Sequence, residues 1–243
     1  MGKLICTGLG PGDPDLISVR SDRLIRSAAH VAYFRKPGRQ GQARRIVDGM
    51  LAQGVTEYAM EYPVTTEIPL GDPEYNRLLA EFYDVWADRL ADLCATQEVI
   101  VLCEGDPFFY GSFMHLYTRL RARITVEVIP GITGMSGCWT ATGTPITWGD
   151  DVLTVLPGTL PQDDLAARAA QTDALVVMKT GRNLPKIRRA LATAGRLDDA
   201  WLVERGTMPN QRILRLADLP DGDAPYFAIV IVHGHGRRPE VEE

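Results

Sequence analysis

Residues 99–112 constrain the chain more than any other stretch. Val99-Ile100-Val101-Leu102-Cys103 is an apolar run of the kind that fills a buried strand of a parallel sheet. Glu104-Gly105-Asp106-Pro107 then turns the chain ahead of Phe113 to Arg121, whose spacing is helical. Glycine, aspartate and proline at a strand's end form a turn whose backbone a ligand can approach closely. In open α/β sheets small molecules bind beyond the carboxyl ends of the strands, which is where this turn falls. Phe108, Phe109 and Tyr110 stand together in a chain that is only 7% aromatic. Three consecutive aromatics at such a place read as an apolar wall for a flat ligand.

The same arrangement recurs twice. Lys3 to Thr7 reads as a short strand followed by Gly8-Leu9-Gly10-Pro11-Gly12-Asp13-Pro14. That loop imitates a dinucleotide fingerprint, but GxGxxG requires glycine where Asp13 stands. Its two prolines also stiffen it and remove amide donors. Taken alone it is either a rigid turn at a ligand site or an ordinary strand-to-helix turn. Ile124 to Ile129 is another strand, ending in Pro130-Gly131-Ile132-Thr133-Gly134-Met135-Ser136-Gly137. Three strand ends carrying Gly-Pro turns argue for one ligand cleft more strongly than any one of them does.

The remaining elements follow from periodicity and punctuation. Ser18 caps a helix running to about Ala29, and Val31–Phe34 is extended. Residues 35–45 hold Arg35, Lys36, Arg39, Arg44 and Arg45 and no acid, although the chain's net charge is −5. This segment is either a solvated face or a basic lip for a polyanionic ligand, since arginine's fork suits carboxylates. A short helix is expected over Ile46–Leu51, an extended segment over Val55–Tyr62 and a loop over residues 63–69. Asp72-Pro73 opens a long helix whose stripe of Leu79, Phe82, Trp86, Leu90 and Leu93 faces a core. The polar stretch Gly143–Asp151 marks a boundary, giving domains 1–146 and 147–243. In the second, strands are expected at Val152–Leu156, Ala174–Met178, Ala200–Val203 and Tyr226–Val232. Helices are expected at Asp163–Ala170 and Leu184–Ala194.

Composition excludes several functions. The negative net charge disfavours nucleic acid as an obligate partner. Cys6, Cys94, Cys103 and Cys138 form no CxxC pair and read as reduced, buried thiols. His233 and His235 lack a metal-ligand pattern around them and read as a loop. No nucleophile elbow or Ser/His/Asp pattern occurs. The first apolar run is too short for a signal peptide, and no run reaches membrane-spanning length, so a cytoplasmic protein is expected.

Gly8–Pro14, Glu104–Pro107 and Pro130–Thr133, in this order and at these separations, resemble the tetrapyrrole (corrin/porphyrin) methyltransferase family. Thr180-Gly181 after Val177-Met178-Lys179, and Glu204-Arg205-Gly206-Thr207, resemble its second-domain markers. Within the family, three stretches resemble the precorrin-2 C20-methyltransferase branch: 33–39, 62–67 and the aromatic extension 105–112. The resemblance implies two α/β domains, a mostly parallel N-terminal sheet and a mixed C-terminal sheet, with a ligand cleft between them. It also implies S-adenosylmethionine as co-substrate, no metal, a homodimer, and methylation of precorrin-2 at C20. The enzyme that takes the cobalt form is the nearest alternative; another corrin-ring methylase and a non-catalytic tetrapyrrole carrier are further ones.

Carried over by position, the resemblance places Pro11, Gly105, Asp106, Phe109, Thr133, Gly134, Met178, Arg205, Gly206 and His233 at the co-substrate. Thr133-Gly134 departs from the more frequent Ser-Ser or Ser-Ala, so position 134 offers no side-chain contact. Phe108 and Tyr110 would meet the macrocycle, and Arg35, Lys36 and Arg39 would clamp its carboxylates. A general base is not identifiable; Glu104, Asp13 and Tyr110 are the candidates by position.

Overall fold

A computed structural model describes residues 2–65, 68 and 71–239. Thr66, Glu67 and Pro69 of the expected loop lie outside the described residues, as does the end of the charged tail. The chain divides into two compact units, Met1–Gly134 and Met135–Glu243.

In the first unit β1 (Leu4–Gly8), β2 (His30–Arg35), β3 (Thr56–Glu61), β4 (Val99–Cys103) and β5 (Val126–Ile129) form one sheet. Their order is β3-β2-β4-β1-β5, and every pairing is parallel. Alternation along β1 shows how both faces are covered. Leu4 and Cys6 pack with Phe82 and Leu90 of α3 (Pro73–Leu93) and with Phe113 and Leu116 of α4 (Phe113–Leu120). Ile5 points the other way, to Ile25 of α1 (Val19–Ser27) and Ile46 of α2 (Gln42–Ile46). Burial on both faces is why β4 reads as an unbroken apolar run and β1 is apolar from Leu4 to Cys6. The caps are those expected: the Ser18 hydroxyl accepts from the Ser21 amide, and Asp72 accepts from the Glu74 amide ahead of Pro73.

One helix lies elsewhere than expected. α2 spans Gln42–Ile46, inside the basic segment, and ends where a helix over Ile46–Leu51 was expected. Its turn buries Ala43 and Ile46, while the left-handed Gly49 (φ 76°) breaks the run that follows.

The second unit holds β6 (Leu153–Pro157), β7 (Ala174–Met178), β8 (Ala200–Glu204), β9 (Arg212–Arg215) and β10 (Ala228–Val232). The order is β6-β7-β10-β8-β9; β6 and β7 are parallel, and the other pairs are antiparallel. Leu175, Val177, Leu202 and Val230 face α6 (Gln162–Ala169) and α7 (Leu184–Thr193) through Leu165, Leu184 and Ile187. Val176, Val203, Ile229 and Ile231 face Met135, Cys138 and Trp139 of α5 (Gly134–Ala141). This packing of α5 is why the compact unit begins near Met135, ahead of the polar stretch that marked position 146. The edge strand β9 went unread because its four residues carry arginine at both ends.

Candidate functional site

At the carboxyl edge of the first sheet, three strand-end turns touch through bare backbone. Gly10 and Gly105 exchange hydrogen bonds, with Gly105 N donating to Gly10 O at 2.8 Å and Gly10 N donating to Gly105 O at 3.4 Å. A Cβ on Gly131 would lie 2.1 Å from the Gly105 carbonyl oxygen and 2.8 Å from Gly8 Cα. Glycine is therefore required where β1, β4 and β5 end together. Gly10 and Gly105 also adopt left-handed φ values of 77° and 61°.

Asp106 fastens this junction. One of its oxygens accepts from the Gly131 amide at 3.1 Å, and the other accepts from the Phe108 amide at 2.9 Å. The carboxylate thus ties the turn after β4 to the turn after β5, a charge-assisted pair of bonds. Pro11 is buried beside Gly10, while Thr133 and Gly134 are half-buried after β5. The structure brings Pro11, Gly105, Asp106, Thr133 and Gly134 to one sheet edge. The repeated glycine at each strand end marks the three turns in the sequence; that Gly8, Gly10 and Gly131 serve close backbone contact between them is visible only in the structure.

The aromatics divide. Phe108 is 46% exposed, and its ring meets Tyr117 edge-on at 4.8 Å. Phe109 and Tyr110 meet edge-to-face at 4.9 Å, and Tyr110 is held at φ 54°. A non-glycine residue in that region is strained, a feature that concentrates at functional sites. The Tyr62 and Ser112 hydroxyls bond at 2.5 Å.

Two of the three base candidates have structural duties. Asp13 caps the short 3-10 turn Pro14–Leu16 by accepting from the Asp15 amide at 2.9 Å. Glu104 accepts from the Ala43 amide at 3.1 Å. Residue 104 keeps exposed surface, yet protein atoms crowd its carboxyl, and desolvation raises its pKa above the usual carboxylate value while the Ala43 bond opposes the rise. Among the basic residues, Arg35 pairs with Glu61 at 2.6 Å, and Arg44 pairs with Glu57 and Asp48. Lys36 and Arg39 are exposed and form no ion pair with described residues.

In the second unit, β7 and β8 run alongside each other's direction on either side of β10 and end at the same edge. Met178 closes β7, and its carbonyl accepts from the Gly158 amide at 2.6 Å. Lys179, Arg205 and Thr207 all have left-handed backbone there, at φ 57°, 51° and 69°. Buried Glu204 receives the guanidinium groups of Arg205 and Arg212 at 3.4 and 3.3 Å. Gly206 is a packing glycine: a Cβ would lie 2.7 Å from Cys138 Sγ. Burial pushes the Cys138 thiol up to about 11, with the Gly206 backbone bond opposing.

His233 does not join Met178, Arg205 and Gly206. It follows β10, which runs the other way, so that Val232 pairs with Leu175 and Ala200 near the starts of β7 and β8. A strand of this length separates the two edges by roughly 14 Å. His233 is also buried, its ring nitrogens lying 3.1 Å from Thr142 Oγ1 and 3.1 Å from the Pro145 carbonyl. Burial lowers its pKa most, the Pro145 bond raises it, and the nearby His235 lowers it. The direction of β10, which decides this placement, is invisible in an apolar run.

A parallel α/β unit with a glycine-built edge, followed by a mixed α/β unit with strained strand ends, defines the class. The chain belongs to the Tetrapyrrole (Corrin/Porphyrin) Methylases, whose family model matches residues 3–220. It is 52% identical over 240 residues to the Precorrin-2 C(20)-methyltransferase of Sinorhizobium sp, covering 98% of both chains. It is 27% identical to the Cobalt-precorrin-2 C(20)-methyltransferase of Salmonella typhimurium, covering 96% of each. Among solved structures, the methyltransferase CobJ superposes with a TM-score of 0.70 at 19% identity, over 99% of this chain and 98% of that one. Uroporphyrin-III C-methyl transferase from Thermus thermophilus, complexed with S-adenyl homocysteine, gives 0.68 at 24% identity over 96% and 92%. These two likenesses concern the fold.

Proposed function

We propose that this protein transfers the methyl group of S-adenosylmethionine to meso carbon C20 of precorrin-2, giving precorrin-3A in cobalamin biosynthesis. The observation that carries this reading is the 52% identity, end to end, with a relative bearing that activity in its name. The 27% identity to the cobalt-precorrin-2 relative favours the metal-free substrate. The reading extends to a cytoplasmic homodimer, on the family resemblance alone.

The co-substrate supplies an electrophilic methyl on a sulfonium. The electron-rich meso carbon provides the electron pair, the S–CH3 bond breaks, S-adenosylhomocysteine leaves, and the carbon's proton is lost afterwards. The protein's task is alignment, with nucleophile and methyl held at near-attack distance. The residues at the first sheet's edge fit that task. The glycines at 8 and 131 let the turns after β1, β4 and β5 pack backbone against backbone, which fixes the edge on which a ligand would be aligned. A sulfonium loses its charge during transfer, so a strongly anionic pocket would favour the ground state. The carboxylates of Asp13, Glu104 and Asp106 each accept from backbone amides, which tempers their field.

Precorrin-2 is a polycarboxylate, and Lys36 and Arg39 are exposed cations that form no ion pair with described residues. Arg35 is held by Glu61 and serves chiefly to join β2 and β3 at their ends. Replacing both Lys36 and Arg39 by alanine should raise KM for precorrin-2 about 3- to 10-fold at low ionic strength, with kcat retained. The effect should fade towards ~1 M salt, where screening shortens to a few ångströms. A KM unchanged at low salt would show that these residues do not meet the substrate.

Calorimetry separates the enzyme from a carrier. Saturable binding of S-adenosylmethionine, with turnover of metal-free precorrin-2 faster than of the cobalt form, is the expected result. Tetrapyrrole binding without co-substrate binding would establish a carrier instead.

A further inference from the structure

We infer that Glu104 is a positioning residue for the tetrapyrrole substrate: its carboxylate tethers the basic segment to the end of β4, and so sets where Lys36 and Arg39 stand. The inference rests on the reading proposed above and names a coupling within that site.

The basic segment is pinned at two points. After β2 it turns at Lys36–Arg39, where the Arg39 amide donates to the Lys36 carbonyl at 3.1 Å, with Gly38 left-handed at φ 67°. It then returns on itself, so that a Cβ on Gly41 would lie 2.3 Å from the Phe34 carbonyl oxygen and 3.3 Å from Arg35 Cβ. Gly41 and Ala43 are buried, and the Ala43 amide donates to Glu104 Oε1 at 3.1 Å. In the β2–β4 register Tyr33 lies opposite Leu102, so the end of β2 stands beside Glu104.

Glu104 is thus bonded on one side to the returning basic segment, and its chain neighbour Gly105 is part of the glycine junction. A single carboxylate links the exposed cations to the turn where the co-substrate is proposed to sit. Nothing in this arrangement requires the negative charge; it requires an acceptor oxygen at the right reach. Glutamine supplies that oxygen and alanine does not.

The test is a titration of precorrin-2 into the S-adenosylhomocysteine-bound protein at low salt, with hydrogen exchange followed over residues 42–46. E104A should weaken tetrapyrrole binding about 5-fold and speed exchange at 42–46, while S-adenosylhomocysteine affinity stays within about twofold. E104Q should restore both readings. In a K36A/R39A background, E104A should add less than about twofold, because residues acting through one another are non-additive. Unchanged tetrapyrrole binding in E104A, full additivity, or an E104Q protein as weak as E104A would overturn the inference. The readout is binding, so it stands apart from the proposed reaction. A protein that binds precorrin-2 without methylating it refutes the reaction and still reports the coupling.

Discussion

Replacing Gly131 by alanine should destabilise the first unit by about 3 kcal/mol, the upper part of the range for forcing atoms into a packed site. The new Cβ would lie 2.1 Å from the Gly105 carbonyl oxygen and 2.8 Å from Gly8 Cα, and both neighbours are backbone. Neither can rotate away as a side chain would, so the turns after β4 and β5 must separate. Because the same turns are proposed to align the methyl donor, affinity for S-adenosylmethionine should fall by about 100-fold, the equivalent of the ~3 kcal/mol needed to re-form the junction around the ligand. Gly222, whose Cβ would meet nothing within 4 Å, is the control, and Gly222→Ala should leave both quantities unchanged. Thermal unfolding and calorimetry check the pair. A Gly131→Ala protein with native stability and native affinity would show that the close approach is not required.

Asp106→Ala should have the second largest effect. It leaves the Gly131 and Phe108 amides without their acceptor, at a cost of about 1–3 kcal/mol because the acceptor is charged. Loosening the junction should weaken S-adenosylmethionine binding by about tenfold, the equivalent of ~1.4 kcal/mol. Asp106→Asn distinguishes this role from a direct contact. Asparagine retains one acceptor oxygen but turns an NH2 group towards the other amide, so it should lose stability as well as affinity. If Asp106→Asn keeps wild-type stability and loses only affinity, the carboxylate acts on the ligand and not on the turns.

The first unit was legible because its strands are buried on both faces. Val99–Cys103 coincides with β4, and the neighbouring runs fall within two residues of their strands. Punctuation worked where its chemistry is local: Ser18 and Asp72-Pro73 start helices because capping is a matter of a few adjacent atoms. Three things depended on contacts between distant residues and stayed hidden. α2 sits among arginines because its burial of Ala43 and Ile46 is set by the sheet it packs on. The direction of β10 decides which edge His233 occupies, and an apolar run carries no arrow. The pairing of Arg35 with Glu61 divides a basic segment that looks uniform in sequence. At the candidate site the sequence marked each turn, but that Asp106 binds Gly131 across 25 residues needed coordinates.

The most direct test of the central claim follows a labelled methyl group. The protein is incubated with precorrin-2 and S-adenosylmethionine carrying carbon-13 on its methyl, and the product's position of labelling is read by NMR. A single enriched methyl on meso carbon C20, formed only with the protein present, is the predicted result. Label at any other ring carbon, or none in the macrocycle while the protein binds both ligands, would contradict it.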